Sequence, residues 1–438
     1  MLLAVTVVTL LIVVLVSAMC TDPPGPDPAD WTTYHHDNTR SGVAPELAPL
    51  GTLSKAWDAT LDGAVYGQPL VVGDRVFAAT ENNTVYALDA ATGRTIWSTH
   101  VGSPMPLSQL PCGNINPLGI TSTMVYDPAT RLLFALSETT AARHMLVSLD
   151  ATTGTVRQRR AAEPPEGNRV AHQQRGALSL VDGRIYIPYG GLDGDCDRYI
   201  GSVVSLPVVG PAKPISYHVP TTRQGGIWAP GGGILVGDRL MYATGNGAST
   251  TTYDGSDSII ALNPELKLVD RFTPTIWAED NSSDADLGSM TPALAGGYVY
   301  ANGKRGVGYT LKPNHLGGIG GQIDQAYVCP TFGAAAVSGN TIYVPCVDGP
   351  RAVTINTKGK ITVGWQAVVS GGGSPTIGGG AVWVIDTSLG ILSALDPATG
   401  VVRQRIPVGK VHRFASPTLA RGHAYVGTMT GVAAVAGA

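Results

Sequence analysis

Apolar positions along the chain fall in short runs bounded by Gly, Pro, Asp or Asn, and no long segment carries the one-sided apolar stripe of an amphipathic helix. One unit recurs: a turn with Gly or Asp, one or two apolar residues, then an aromatic. It appears as Gly73-Asp74-Arg75-Val76-Phe77, Arg131-Leu132-Leu133-Phe134, Gly183-Arg184-Ile185-Tyr186 and Asp238-Arg239-Leu240-Met241-Tyr242. It returns as Gly297-Tyr298-Val299-Tyr300, Asn340-Thr341-Ile342-Tyr343, Gly380-Ala381-Val382-Trp383 and Gly422-His423-Ala424-Tyr425. Successive aromatics are 57, 52, 56, 58, 43, 40 and 42 residues apart. Four strands of about five residues with their turns need about 40 residues, so each interval holds one propeller blade, with insertions in the first four. The pattern predicts an all-β, eight-bladed β-propeller.

Two further signals support that architecture. A second short strand precedes each unit, often opened by Pro, as in Gln68-Pro69-Leu70, Thr291-Pro292-Ala293, Ser374-Pro375-Thr376 and Ser416-Pro417-Thr418. Pro suits a strand start, where no ladder donor is needed, and these strands are expected to line the channel. After the aromatic strand, Asp89-Ala90-Ala91-Thr92-Gly93-Arg94-Thr95-Ile96-Trp97 predicts a turn in which Asp89 bonds the backbone and Gly93 supplies positive φ. Trp97 is then placed to bury its ring against a neighbouring blade. Weaker copies at Asp150–Gly154 and Asp396–Gly400 put Gln158 and Gln404 where the Trp would stand, which predicts weaker or different docking there. The C-terminus supplies only three strands of the last blade, so Ala56 to Thr60 is expected to pair with Val432 to Val435 and close the ring.

Composition narrows the function. Charged residues are 14% of 438, net charge is −3, and Gly and Pro number 56 and 31. Without basic clusters, nucleic acid is excluded as the expected partner. Residues 1–20 stand apart: Leu2 to Met19 is almost wholly apolar and runs into Cys20. Three readings remain open: lipidation at Cys20 after a Val16-Ser17-Ala18-Met19 lipobox, an uncleaved membrane anchor, or ordinary signal cleavage after Ala18. All three place the chain outside the cytoplasm, held at a membrane in the first two. Residues 21–50 form a Pro-rich tether and lead-in, and 51–438 the propeller.

On the Asp-x-x-Thr-Gly-x-x-x-Trp turn, and on Trp31-Thr32-Thr33-Tyr34-His35-His36-Asp37, the chain resembles the quinoprotein alcohol dehydrogenase-like superfamily of eight-bladed propellers. That superfamily holds dehydrogenases carrying pyrroloquinoline quinone (PQQ) and Ca²⁺, and cofactor-free scaffolds of the cell envelope. The resemblance implies that Trp228, in Gln224-Gly225-Gly226-Ile227-Trp228, is the floor beneath a quinone and that Asn246, in Thr244-Gly245-Asn246-Gly247, is a Ca²⁺ ligand. It also implies a catalytic base among Asp280, Asp284 and Asp286, with Asp284 and Asp286 preferred, and Lys304 on the quinone oxygens. Two features depart from the dehydrogenases. There is no adjacent Cys pair, Cys112 standing alone in that region, and the Ca²⁺-binding Glu is missing from the stretch around Gly190 to Gly201, where Asp193, Asp195 and Asp197 stand instead.

Asp193 and Asp195 have the alternating carboxylates that hard cations favour, but Arg198 stands where an EF-hand loop needs Gly. His35-His36 lacks further ligands at metal spacing, and Gly297 to Lys304 is one residue too long for a phosphate loop. The departures favour a non-catalytic binding scaffold of the cell envelope, offering its loop-rich face to an envelope protein or a small ligand. The alternative is a PQQ- and Ca²⁺-dependent alcohol or sugar dehydrogenase. Either site is expected on the face carrying Cys112, Asp193 to Asp197, Trp228, Asn246 and Asp280 to Asp286, where the inserted loops lie. Outside the cytoplasm the four cysteines after Cys20 should be oxidised, Cys329 with Cys346 from strand order and Cys112 with Cys196 by remainder.

Overall fold

The computed structural model describes residues 27–140, 143–211 and 213–437. The apolar leader, Cys20 and most of the Pro-rich spacer lie outside the described residues. Among the described residues no helix is long and apolar enough to cross a membrane.

Eight four-stranded antiparallel meanders form the ring. The first runs Leu70–Val72, Arg75–Ala79, Thr84–Asp89 and Thr95–His100 from channel to rim. The next six begin at the inner strands Val125–Asp127, Ser179–Val181, Ile234–Val236, Ala293–Ala295, Ala336–Ser338 and Thr376–Gly378. The last combines Thr418–Ala420, His423–Thr428 and Gly431–Gly437 with Leu53–Thr60 from the N-terminal side. Trp57 pairs with Ala434 and Thr60 with Gly431, so the ring closes as the sequence predicts and its terminal edges are satisfied. The aromatics of the recurring unit are its core: Phe77, Phe134, Tyr186, Tyr242, Tyr300 and Tyr425 are fully buried. Outer strands such as Val402–Pro407 alternate exposed and half-buried residues, with one side packed inward and one in water.

The Trp turn works between blades. Trp57, Trp97 and Trp365 donate their indole N–H to the carbonyls of Ala90, Ala151 and Pro397. Each ring lies over the turn glycine of the following blade: a Cβ on Gly93 would meet the Trp57 ring at 2.6 Å, and one on Gly154 the Trp97 ring at 2.6 Å. Gly93 has φ +70°, so the same residue supplies the left-handed turn and leaves room for the indole. The turns of the Gln158 and Gln404 copies follow the same rule. They still receive a Trp from the preceding blade, because the glycine, not the residue at the Trp position, is the receptor. Gln404 instead bonds Leu53 N and Gly51 O of the closing strand's approach.

Residues of the lead-in are built into the channel. Trp31 bridges to Val71, Tyr126 N donates to Thr32 O, Leu235 N to Asn38 O and Val337 N to Ser41 O, while Val43–Ala44 runs parallel to Thr376–Gly378. Arg40, 2% exposed, donates to Thr33 Oγ1, Tyr34 O, Leu178 O, Ser179 Oγ and Gly233 O. A buried guanidinium without carboxylates is stable only when its donors are used, and here they tie the lead-in to the third and fourth blades. Both expected disulfides are present, Cys329–Cys346 fully buried and Cys112–Cys196 joining two loops at the cavity described next.

Candidate functional site

The inner strands descend from a cavity of about 650 Å³ at one mouth of the channel. Its lining comes from the loops that precede or join the blades: Tyr66, Asn114, Gln173 and Arg175, Asp193 to Asp195, Trp228, Asp284 and Asp286, Lys304, Phe332, and Lys410 to Phe414. Below it a void of about 10 Å³ touches Tyr34 of the lead-in, so the lead-in floors the channel.

Trp228 is half-buried and lines the cavity, which glycines make possible. A Cβ on Gly190, Gly226 or Gly245 would fall within 2.2, 2.7 or 3.0 Å of the indole, so the ring rests on bare backbone. The insertion between the fourth and fifth blades carries α1, Trp277–Ser283, which ends at Asp284 in the left-handed conformation. That stop turns the chain so that Asp284 and Asp286 reach the cavity. Arg305 anchors the helix through Glu279 and Asp280. The structure thus separates Asp280, held in this anchor, from the other two carboxylates.

Asp286 is the centre of the group. Its Oδ1 accepts from Asn246 N at 2.7 Å, and its Oδ2 lies 2.6 Å from Lys304 Nζ. Lys304 Nζ also donates to Asp284 Oδ1 at 2.8 Å, and Asn246 Nδ2 donates to the same oxygen at 3.0 Å. Four residues named from the sequence (Asn246, Asp284, Asp286 and Lys304) are therefore one hydrogen-bonded cluster beside Trp228. Burial pushes the Asp286 carboxyl up to about 6, against Lys304 and the Asn246 N–H, which pull it down. Burial works against the Lys304 charge, but Asp286 and Asp284 more than offset it and hold the ammonium above its usual range. Behind Asp286, buried Asp257 accepts from Leu287 N at 3.0 Å; burial and then the Asp286 charge push its carboxyl well above the usual carboxylate range. A carboxylate poised near neutrality beside a fixed cation can take or hold a proton.

Fit to a metal and a quinone can be tested on the donors present. Asn246 Oδ1 is buried with no hydrogen-bond partner, and with the Asp284 and Asp286 carboxylates it offers oxygen ligands of the type hard cations take. Among the described residues no three His, Cys, Asp or Glu side chains form a ready metal cage. Asp193 and Asp195 line the cavity, but Asp195 accepts from Tyr199 Oη instead of converging on Asn246. For a planar quinone the fit is closer: an indole platform and the Lys304 ammonium on one cavity.

Three further cations on the same cavity carry no sequence signal. Arg175, Lys410 and Arg413, with Phe332 and Phe414, form the wall lacking any sequence candidate. Each lies in a loop with no motif around it, so only the ring's geometry brings them together.

A family model described as outer membrane protein assembly factor BamB matches residues 48–190. A polyvinylalcohol dehydrogenase of Sphingopyxis sp. (strain 113P3) is 29% identical over 283 residues, 58% of this chain and 40% of that one. The dehydrogenase subunit of a quinone alcohol dehydrogenase of Gluconobacter oxydans (strain 621H) is 26% identical over 57% of this chain and 38% of its own. The chain thus spans about two fifths of the length of these relatives. Among solved structures, the quinohemoprotein alcohol dehydrogenase of Comamonas testosteroni superposes with TM-score 0.70 at 16% identity, over 93% of this chain and 80% of that one. BamB of Moraxella catarrhalis superposes with TM-score 0.57 at 14% identity, over 88% and 99%. With eight blades, the repeat's Trp-on-Gly docking and these matches together, the chain is similar to the quinoprotein alcohol dehydrogenase-like, PQQ-repeat β-propellers.

Proposed function

We propose that this propeller oxidises an alcohol with PQQ bound in the 650 Å³ cavity, and that Asp286 is the base. The observation that carries the reading is the single cluster of Asn246, Asp284, Asp286 and Lys304 beside the open face of Trp228. The sequence departures had favoured a scaffold; the alcohol-dehydrogenase relatives and this cluster favour the enzyme.

PQQ, when bound, supplies the acceptor for the two electrons that leave the alcohol carbon. Trp228 offers its flat face as a platform, and Lys304 offers a cation to the quinone oxygens. Asn246 Oδ1 and the Asp284 and Asp286 carboxylates are the candidate ligands for Ca²⁺ or a similar hard cation. Asp286, ionised above about pH 6, receives the hydroxyl proton of the alcohol, and Lys304 fixes that carboxylate in place. The Cys112–Cys196 bridge ties together two rim loops, those carrying Asn114 and Asp193 to Asp195.

Two disulfides support an oxidising compartment, and with the apolar leader they support export with attachment to the membrane through the N-terminus, by Cys20 lipidation or an anchor. A second reading, a cell-envelope scaffold that binds a partner protein on the same loop-rich face, draws on the BamB-described match and on the lack of a three-ligand cage among the described residues. The purified chain titrated with PQQ and Ca²⁺ separates them. Saturable quenching of tryptophan fluorescence and alcohol-dependent dye reduction are expected, both lost or weakened in Lys304→Gln. No PQQ binding at micromolar concentration would leave the scaffold reading.

A further inference from the structure

The two walls of the cavity are paired differently. On one, Lys304 is held by two carboxylates. On the other, Arg413 lies with its guanidinium 3.8 Å from the Phe332 ring centre and 5.8 Å from that of Phe414. Arg175 lies 4.4 Å from the Phe414 ring centre and 5.5 Å from that of Tyr66. Lys410 stands exposed at the rim.

Neither arginine, nor Lys410, makes an ion pair or side-chain hydrogen bond with any described residue. Two nearby carboxylates do not neutralise them. Glu81, the acid that acts on Arg175, is pushed up to about 8 by burial and so is largely protonated, while Asp193 attracts Arg413 without pairing with it. His412, stacked on Tyr66 at 4.7 Å, is held neutral by burial and by Arg175.

A guanidinium resting on an aromatic face is held in one orientation with its donor edge free, the geometry that takes a carboxylate in bidentate fashion. Half-buried Arg175, with no ion-pair partner among the described residues, favours a ligand that brings the missing charge, and exposed Arg413 stands beside it on Phe414. The rings of Phe332 and Phe414, centres 6.4 Å apart and tilted at 52°, give that ligand an apolar border.

We propose that this wall is a recognition site for the substrate's anionic end, so that the alcohol oxidised here bears a carboxylate on an aromatic or compact apolar frame. Arg413 and Arg175 take the carboxylate, Phe332 and Phe414 border the frame on one side, and Lys410 draws the anion to the mouth. The hydroxyl end rests on the enzyme reading above; the anion end does not, and the test keeps them apart.

The probes are 4-(hydroxymethyl)benzoate and benzyl alcohol, which differ only in the carboxylate. Calorimetry on the quinone-free chain is expected to show 4-(hydroxymethyl)benzoate binding at least tenfold more tightly than benzyl alcohol, with affinity falling as salt rises. Arg413→Gln, at an exposed position, should weaken the benzoate by roughly tenfold and leave benzyl alcohol unchanged. In the PQQ-loaded protein the same variant should raise KM for the benzoate, leaving its kcat and the quinone affinity unaltered. Equal binding of the two probes overturns the proposal, as does a variant that weakens PQQ and both alcohols alike, since the cations would then hold the cofactor. Arg413-dependent benzoate binding in a chain that takes no PQQ would sink the oxidation reading and leave the anion site standing.

Discussion

Asp286→Asn isolates the energetic consequence of placing a carboxylate where this site has one. Its side chain is 3% exposed, and burial lifts its pKa to about 6 from an ordinary 3.8. The sign follows from proton counting. Below pH 3.8 the group is protonated in both the folded and unfolded chain and has no effect. Between 3.8 and 6 the unfolded chain releases the proton while the folded one keeps it, so stability is lost as pH rises through that window. At about 1.4 kcal/mol per unit the loss levels off near 3 kcal/mol above pH 6, and between pH 4.5 and 7.5 it amounts to about 2 kcal/mol. The Asn variant does not titrate. It keeps an acceptor for Asn246 N, and it sets an amide against Lys304, which retains Asp284 at 2.8 Å; those terms are constant with pH. Urea unfolding of both proteins at pH 4.5 and 7.5, followed by tryptophan fluorescence, should therefore show the variant gaining about 2 kcal/mol on the wild type at the higher pH. A difference independent of pH would refute the raised carboxyl and with it the case for Asp286 as base.

Three other outcomes are expected. Lys304→Gln removes the charge that pulls Asp286 down, so the acid limb of kcat/KM for alcohol oxidation should move up from near pH 6 by about 1–3 units; an unmoved limb assigns the base elsewhere. Gly93→Ala meets both a φ of +70° and the Trp57 ring at 2.6 Å, and should cost about 2–4 kcal/mol. Gly73→Ala, at φ +60° with nothing within 4 Å, should cost only about 1 kcal/mol, so equal thermal shifts would deny the docking role. Mild reductant should open the half-buried Cys112–Cys196 before the fully buried Cys329–Cys346, counted by thiol alkylation and mass spectrometry, and lower stability by about 4 kcal/mol for its 84-residue span. Alkylation of Cys329 first would reverse that order.

The ring was legible because each blade repeats the same local demands. Phe77, Phe134 and Tyr186 recur at blade spacing since each must fill the same wedge between sheets, and the pairing of Ala56 to Thr60 with Val432 to Val435 followed from a missing fourth strand. The Trp-to-Gly relation was legible only in part. Sequence places Asp89, Gly93 and Trp97 on one turn, but the ring over Gly93 is Trp57, from the preceding blade, and a local motif cannot show which copy of a repeat its partner comes from. The lead-in was harder still. Trp31, Tyr34 and Arg40 have no periodicity, and their burial depends on contacts with at least six different inner strands that exist only once the ring has closed.

The site divides along the same line. Trp228, Asn246, Asp286 and Lys304 lie in short stretches beside Gly226, Gly245, Gly288 and Gly303, so the family resemblance could place each from its own neighbourhood. Arg175, Arg413 and Phe332 are carried by the third blade, the seventh-to-eighth connection and the approach to the sixth; no stretch of sequence contains two of these contributions. Their meaning lies in what they lack among the described residues, an ion-pair contact, and a lack of that kind is a property of three dimensions alone. It bears on the choice between enzyme and scaffold. A binding surface gains nothing from a carboxylate that lowers stability by about 3 kcal/mol at neutral pH, when an amide could make the same bond to Asn246 N. Under the proposed oxidation, a base poised near pH 6, on one cavity with arginines that have no ion pair among the described residues, gives that cost a purpose: Asp286 would be the proton's destination and the arginines would orient the molecule that gives it up.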